Sequence, residues 1–169
     1  MCNRYVQRDR EVVPGKRCIV KMRGPQGEYE LEFDEAVFSG CAKSESRNYW
    51  IKREGAEDVL VPDISRFGEK HQETGVQSWE PVPIGTAMEG LLLPQPPGKE
   101  YRLLKIVTKP ATAEETERWG NDRAPVLQIP ANAAPPTTAH YVETLPPKLK
   151  VTRPPKTPPP DGDSEPTLP

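Results

Sequence analysis

The chain has few of the residues that build metal centres and disulfide frameworks. It contains three cysteines (Cys2, Cys18 and Cys41) and two histidines (His71 and His140) among its 169 residues. No two cysteines have CxxC spacing, and neither histidine has a cysteine, histidine or aspartate at ligand spacing. An odd number of scattered cysteines indicates reduced thiols rather than a disulfide framework or a zinc ribbon. We therefore expect no metal and no cofactor.

Long apolar runs are also absent. No stretch reaches the roughly 20 residues that span a bilayer, and the basic, polar N-terminus has no apolar signal-peptide core. The sequence therefore predicts a cytoplasmic protein with no membrane partner.

The formal net charge of -2 gives no general attraction to nucleic acid. Any such binding would have to come from a local basic patch. Aromatic residues such as Tyr5, Tyr49, Trp50 and Trp79 are candidates either for stacking on bases or for the buried core. One local excess of basic residues lies near the start of the chain: Arg4, Arg8, Arg10, Lys16, Arg17, Lys21 and Arg23.

Most of the readable secondary structure is β. Residues 17–33 predict a hairpin around a Gly-Pro-Gln-Gly turn, and residues 101–108 form the most strand-like segment. Residues 48–52 and 58–62 are two further strand candidates, whereas residues 63–83 predict a loop.

One short helix is predicted at residues 112–119. Thr112 is its N-cap and Glu115 stands at the capping-box position. The fold class is therefore α+β, mostly β with few short helices.

The character of the chain changes after Pro130. About half of the 22 prolines lie beyond this residue, and no hydrophobic periodicity continues there. We predict a folded domain at residues 1–130 and a disordered, Pro-rich tail at residues 131–169. The PxxP spacing at residues 155–158 is compatible with a protein partner for this tail, although Pro-rich segments match that pattern often by chance.

The most distinctive residue is Cys2, which directly follows the initiator Met1. Removal of Met1 would give Cys2 a free α-amine and a thiol on neighbouring carbons. Both groups keep a reactive fraction near neutral pH, since their reference pKa values are about 7.7–8.0 and about 8.5. Such a pair condenses with an aldehyde to an imine, which the thiol closes to a thiazolidine. The alternative is a small residue that happens to follow Met1.

Two motifs stand at the two ends of the predicted domain. Residues 1–5 read Met-Cys-Asn-Arg-Tyr, and residues 121–126 read Asn-Asp-Arg-Ala-Pro-Val after the predicted strand and helix. In this order they resemble the SOS response-associated peptidase (SRAP) family, whose members begin Met-Cys-(Gly or Asn)-Arg-Tyr and carry a late His-Asp-Arg-Met-Pro-Val motif. The resemblance covers residues 1–130 in patches.

The resemblance implies a mixed β-sheet or barrel fold with a positively charged cleft for single-stranded DNA. It implies that Cys2 is the nucleophile that cross-links to the ring-opened aldehyde of an abasic site, in a cross-linking, lyase or peptidase-like activity. Asn3 and Arg4 would line the site, with the Arg4 guanidinium on a phosphate. Arg123 matches the arginine of the late motif and is a further DNA-binding residue, with an ion pair to a carboxylate as its alternative.

The chain departs from the family pattern at two catalytic positions. Asn121 occupies the place of the late histidine, and an amide exchanges no proton near neutral pH. Lys43 occupies the place of the family's middle glutamate, and Glu45 takes that place only after a two-residue slip. The family's Trp-Gly-Leu-(Ile or Val)-Pro segment and its Asn-Ala-Arg motif have no counterpart that we find. These departures leave a second hypothesis open, a catalytically degenerate interaction protein that acts through its Pro-rich tail.

Overall fold

The computed structural model describes residues 2–143, and strands make up most of its regular structure. The first six strands are β1 (Cys2–Gln7), β2 (Arg10–Val12), β3 (Arg17–Gly24), β4 (Gly27–Lys43), β5 (Glu57–Val61) and β6 (Ile64–Lys70). They are followed by β7 (Gln77–Pro81), β8 (Ala87–Leu92), β9 (Arg102–Pro110), β10 (Arg123–Pro125), β11 (Leu127–Gln128) and β12 (Tyr141–Val142). The helical elements are a 3-10 turn (Ser44–Ser46), α1 (Arg47–Glu54) and α2 (Ala113–Trp119).

One sheet closes on itself. Strands β9, β4, β3, β5 and β8 are hydrogen-bonded in that order, and β8 also pairs with β9. The β4–β9 pairing is parallel, whereas the other pairings around the ring are antiparallel. The result is a mixed five-stranded barrel, in line with the predicted mostly β, mixed-sheet class. Short strands β10 and β11 extend it beside β9 and β8.

A second sheet, in the order β12-β7-β6-β1-β2, packs with the barrel around a shared core. Its pairings are all antiparallel. Tyr5 of β1 meets Phe38 of the barrel edge-on, with ring centroids 5.3 Å apart. Phe67 of β6 meets Trp119 of α2 in the same way at 5.3 Å. These buried rings fix the start of β1 against the barrel.

Helix α2 is confirmed as the sequence predicts it. Glu115 donates its backbone N–H to the Thr112 hydroxyl at 3.1 Å, and the Thr112 N–H donates to the Glu115 carboxylate at 2.9 Å. This reciprocal capping box fixes the first turn. Gly120 then ends the helix in the left-handed conformation, with φ +69°.

Two segments differ from their predictions. Residues 48–52 lie in helix α1, which Gly55 ends with φ +70°, and not in a strand. Residues 63–83 contain strands β6 and β7 and not one long loop. Buried polar residues in these strands interrupt the apolar alternation that would have marked them: Glu69, Gln77 and Ser78.

The predicted domain boundary at residue 130 falls inside the described part of the chain. Residues 131–143 continue along the body, where Tyr141 pairs with Trp79 and Val142 with Ser78. The rest of the predicted tail, including its PxxP spacing, lies outside the described residues, as does Met1. Across the described range, the helices are all too short and too polar to traverse a bilayer.

Candidate functional site

Cys2 lies in a buried cluster of titratable side chains. It begins β1 and faces Glu69 across the antiparallel β1–β6 ladder. Cys2 is 2% exposed and Glu69 is 1% exposed. The Cys2 thiol donates to the Arg4 carbonyl at 3.4 Å, and the Cys41 thiol donates to the Cys2 carbonyl at 3.2 Å. Two thiols and one carboxyl therefore lie together at the start of the chain.

The environment suppresses ionisation of both thiols. Burial raises the pKa of the Cys2 thiol well above its usual value, and the neighbouring Glu69 and Cys41 raise it further. Burial also raises the pKa of the Cys41 thiol to about 11. In the chain that carries Met1, burial therefore leaves little thiolate at either cysteine near neutral pH. An amine at Cys2, once freed, is the better first nucleophile.

Glu69 is a candidate functional residue that the sequence patterns did not reveal. Burial raises the pKa of its carboxyl from 4.5 to about 7, so acid and carboxylate forms coexist near neutral pH. That is the property a proton-transfer group needs. A strand prediction for this segment would have pointed to Glu69. Glu69 follows the apolar Phe67 by two residues, and side chains two apart lie on the same face of a strand.

Asn121 lies in this cluster, as the late motif implies. Its side-chain amide donates to the Glu69 carboxylate at 3.3 Å and to the Lys70 carbonyl at 2.7 Å. Asn121 is 3% exposed. The amide holds the carboxyl in place and transfers no proton itself.

The two residues that follow Cys2 have protein partners. Asn3 donates its side-chain amide to the Gln77 side chain at 3.1 Å. The Arg4 guanidinium forms an ion pair with Glu11 at 3.0 Å. A DNA phosphate would have to displace Glu11 from Arg4, and this competition lowers the affinity of the predicted contact.

Arg123 forms the ion pair that the sequence left as its alternative. Its guanidinium donates two bonds to Glu45, at 3.0 and 3.2 Å, and one to the Thr108 carbonyl at 2.7 Å. The hydrogen bond from Arg123, with a second from Ser44, lowers the pKa of the Glu45 carboxyl. Glu45 is thus an exposed, ionised partner of Arg123, and nothing in its surroundings equips it for proton transfer.

A cavity of about 280 Å³ is lined by one residue of each group, Cys41 and Arg123. The Cys41 thiol donates to the Cys2 carbonyl. We call this space the Cys41 cavity. Its charge is mixed rather than strongly basic, since Asp122 accompanies Lys43 and Arg123. The full lining is Cys41, Ala42, Lys43, Thr108, Asp122 and Arg123.

Metal ligands are not gathered at this site. No group of three or more histidine, cysteine, aspartate or glutamate residues within residues 2–143 is arranged to hold a metal ion. All three cysteines are free. Proton transfer and nucleophilic attack are the chemistry that the cluster offers.

Gly120 ends α2 against the His71 side chain, and its replacement by alanine tests this close approach. A Cβ at Gly120 would overlap the His71 imidazole, which the backbone N–H groups of Glu73 and Thr74 hold in place. We expect Gly120→Ala to lower the unfolding free energy by about 2 kcal/mol or more. Urea denaturation measures the loss.

Gly15→Ala is the matched control for that substitution. Gly15 also has a left-handed backbone, with φ +89°, but a Cβ there meets no atom within 4 Å. It should cost clearly less than Gly120→Ala. Equal losses would contradict the role of the His71 contact.

Comparison with known proteins adds no family to this geometry. No family model matches the chain, and a search of curated proteins gives no match either.

Proposed function

We propose that the chain without Met1 forms a covalent thiazolidine with the ring-opened aldehyde of abasic sites in single-stranded DNA, as an SRAP-like DNA-damage protein. The observation that carries the proposal is the pairing of Cys2 with Glu69. Burial raises the pKa of the Glu69 carboxyl to about 7 in the chain that carries Met1, and removal of Met1 would create an aminothiol at Cys2 beside this carboxyl.

The reaction balances with these residues alone. The Cys2 amine attacks the aldehyde carbon and gives a carbinolamine. The acid form of Glu69 donates a proton to the carbinolamine hydroxyl, water leaves, and an iminium ion remains. The thiol sulfur then bonds to the iminium carbon, and the thiol proton returns to the Glu69 carboxylate. The product is the parent aldehyde plus the protein, minus one water.

The assignment of proton transfer to Glu69 compensates for the asparagine at the position of the late histidine. Asn121 exchanges no proton, but it donates to Glu69 at 3.3 Å and so orients a group that does. The high pKa of the Cys2 thiol fits the same order of steps, since the amine reacts first and the thiol closes the ring afterwards. With Glu69 as the proton-transfer group and Asn121 at the position of the late histidine, we expect a long-lived adduct rather than efficient lyase or peptidase turnover.

The direct test uses protein from which Met1 has been removed, with the mass of the intact chain as proof. Incubation with a labelled abasic single strand should give an adduct that survives denaturing electrophoresis. A chain with extra residues before Met1 has no free Cys2 amine and should give none. Absence of an adduct from verified Met1-free protein would refute the proposal.

One observation favours the second candidate, a non-catalytic interaction protein. Both arginines expected to contact DNA are held by carboxylates, Arg4 by Glu11 and Arg123 by Glu45. If this candidate is right, deleting residues 144–169 should abolish function in cells while Cys2→Ala has no effect. The deletion starts at 144 and not at 131, because residues 131–143 include the strand paired with β7.

A further inference from the structure

We infer that Tyr49 and Trp50 of α1, together with Lys105 of β9, form a stacking platform for bases of the single strand whose aldehyde reaches Cys2. We call these three residues the α1 platform. The inference rests on the proposed function for the identity of its ligand, and it adds a binding site that neither sequence motif contains.

The Tyr49 ring is exposed and contacts the half-buried ring of Trp50. Tyr49 is 55% exposed. Its ring meets Trp50 edge-on, with centroids 5.8 Å apart and an interplanar angle of 81°. Trp50 is half-buried because it also packs against the smaller core cluster around Leu91 and Val107. One ring is therefore anchored and the other is presented to solvent, which suits stacking at low entropic cost.

Positive charge surrounds the rings. The Lys105 ammonium lies 5.4 Å from the centroid of Trp50. Lys52 and Arg53 are exposed in the last turn of α1, where they also suit the helix dipole. Within residues 2–143 these three cations form no ion pair. The carboxylate at the platform is Glu54, which accepts from the Tyr49 hydroxyl at 3.3 Å.

A continuous set of contacts leads from the platform to the reactive cluster. Lys105 donates to the Ser39 carbonyl at 3.4 Å. Ser39 lies two residues before Cys41 in β4, and the Cys41 thiol donates to the Cys2 carbonyl. These contacts tie the platform to the reactive cluster through β4 and β9, and the proposal places the strand that leaves Cys2 over Lys105 and Trp50.

The chemistry of the platform favours a single-stranded nucleic acid. A base has a flat face for the exposed ring, and its phosphate matches the unpaired cations. In a duplex those faces are stacked on each other, so binding should discriminate against double strands. An acidic protein partner would match the charges but would have no need of the rings.

Tyr49→Ala tests the platform against Tyr29→Ala. Tyr29 is 47% exposed on β4 beside the acidic residues Glu28 and Glu30. It is therefore an exposed tyrosine like Tyr49, but its neighbours are negative instead of positive. The probe is a fluorescent oligothymidylate without abasic sites, and the readout is anisotropy. Tyr49→Ala should weaken binding by about fivefold or more, whereas Tyr29→Ala should bind as the wild type does.

Lys105→Gln tests the charge separately. It should lower the slope of log affinity against log salt by about 0.7, the value for one phosphate contact on a single strand. Equal affinities of Tyr49→Ala and Tyr29→Ala, or no measurable binding of the oligothymidylate by the wild type, would overturn the platform.

The two proposals fail in different ways. Oligothymidylate binding reports on the platform and adduct formation reports on Cys2, so each proposal has its own readout. Tyr49-dependent binding without any adduct would refute the covalent function and keep the platform. An adduct together with equal oligothymidylate binding by the two tyrosine variants would refute the platform and keep the covalent function.

Discussion

Replacing Cys2 by alanine is expected to abolish the denaturation-resistant DNA adduct. Alanine keeps the α-amine, so it still forms an imine, but without the sulfur the imine is not closed and hydrolyses when the protein is denatured. Borohydride should therefore trap a cross-link in Cys2→Ala that is invisible without it. Labelled abasic single strands on a denaturing gel, with and without borohydride, measure both states.

Cys41→Ala is the control within the same cluster. It removes a thiol that touches the Cys2 carbonyl but leaves the aminothiol intact, so the adduct should persist. Two results would indicate that another residue supplies the reactive thiol. One is loss of the adduct in Cys41→Ala, and the other is an adduct in Cys2→Ala that is stable without borohydride.

Replacing Glu69 by glutamine is expected to remove a pH-dependent contribution of about 3 kcal/mol to the unfolding free energy. Burial raises the pKa of Glu69 from 4.5 to about 7. Between these values the unfolded chain has released the proton that the folded chain still holds. The unfolding free energy of the wild type relative to Glu69→Gln should therefore be highest below pH 4.5 and should fall until about pH 7. Glutamine keeps an acceptor for Asn121, so the hydrogen bond at 3.3 Å is preserved.

Urea denaturation of both proteins between pH 4 and pH 8 gives the difference directly. Glu73→Gln removes an exposed carboxyl from the turn after β6 and should follow the wild type. A constant difference between wild type and Glu69→Gln over this range would show that folding does not raise the pKa of the Glu69 carboxyl, which would then be ionised near neutral pH. The proposed proton transfer would then have no donor near neutral pH.

Local signals in the sequence were enough where backbone chemistry decides the structure. The capping box of Thr112 and Glu115 identifies α2 because both of its hydrogen bonds are made within one turn. Residues 101–108 are strand-like because β9 is buried between neighbours in the barrel.

Sequence signals failed where contacts between separate segments decide the secondary structure. Strand β6 carries the buried Glu69 and pairs with β1, from the start of the chain, as well as with the next strand, β7. A buried acid among charged neighbours looks like a surface loop until those partners are known. The polarity that hid this strand is the same polarity that makes it a candidate for catalysis.

The two sequence motifs contribute residues to one cluster around Glu69. Cys2 and Asn121 both contact or face Glu69, so residues from the two ends of the domain do meet. Arg4 and Arg123, by contrast, have carboxylate partners, because an arginine side chain pairs with whichever acid the fold brings near. Spacing along the chain carries no information about that choice.

The mass of the adduct tests the central claim most directly. Met1-free protein incubated with an abasic oligonucleotide should gain the mass of the oligonucleotide minus one water, and tryptic digestion should place the modification on the tripeptide Cys2-Asn3-Arg4. An unmodified protein, or a cross-link that maps to a lysine, would contradict the account.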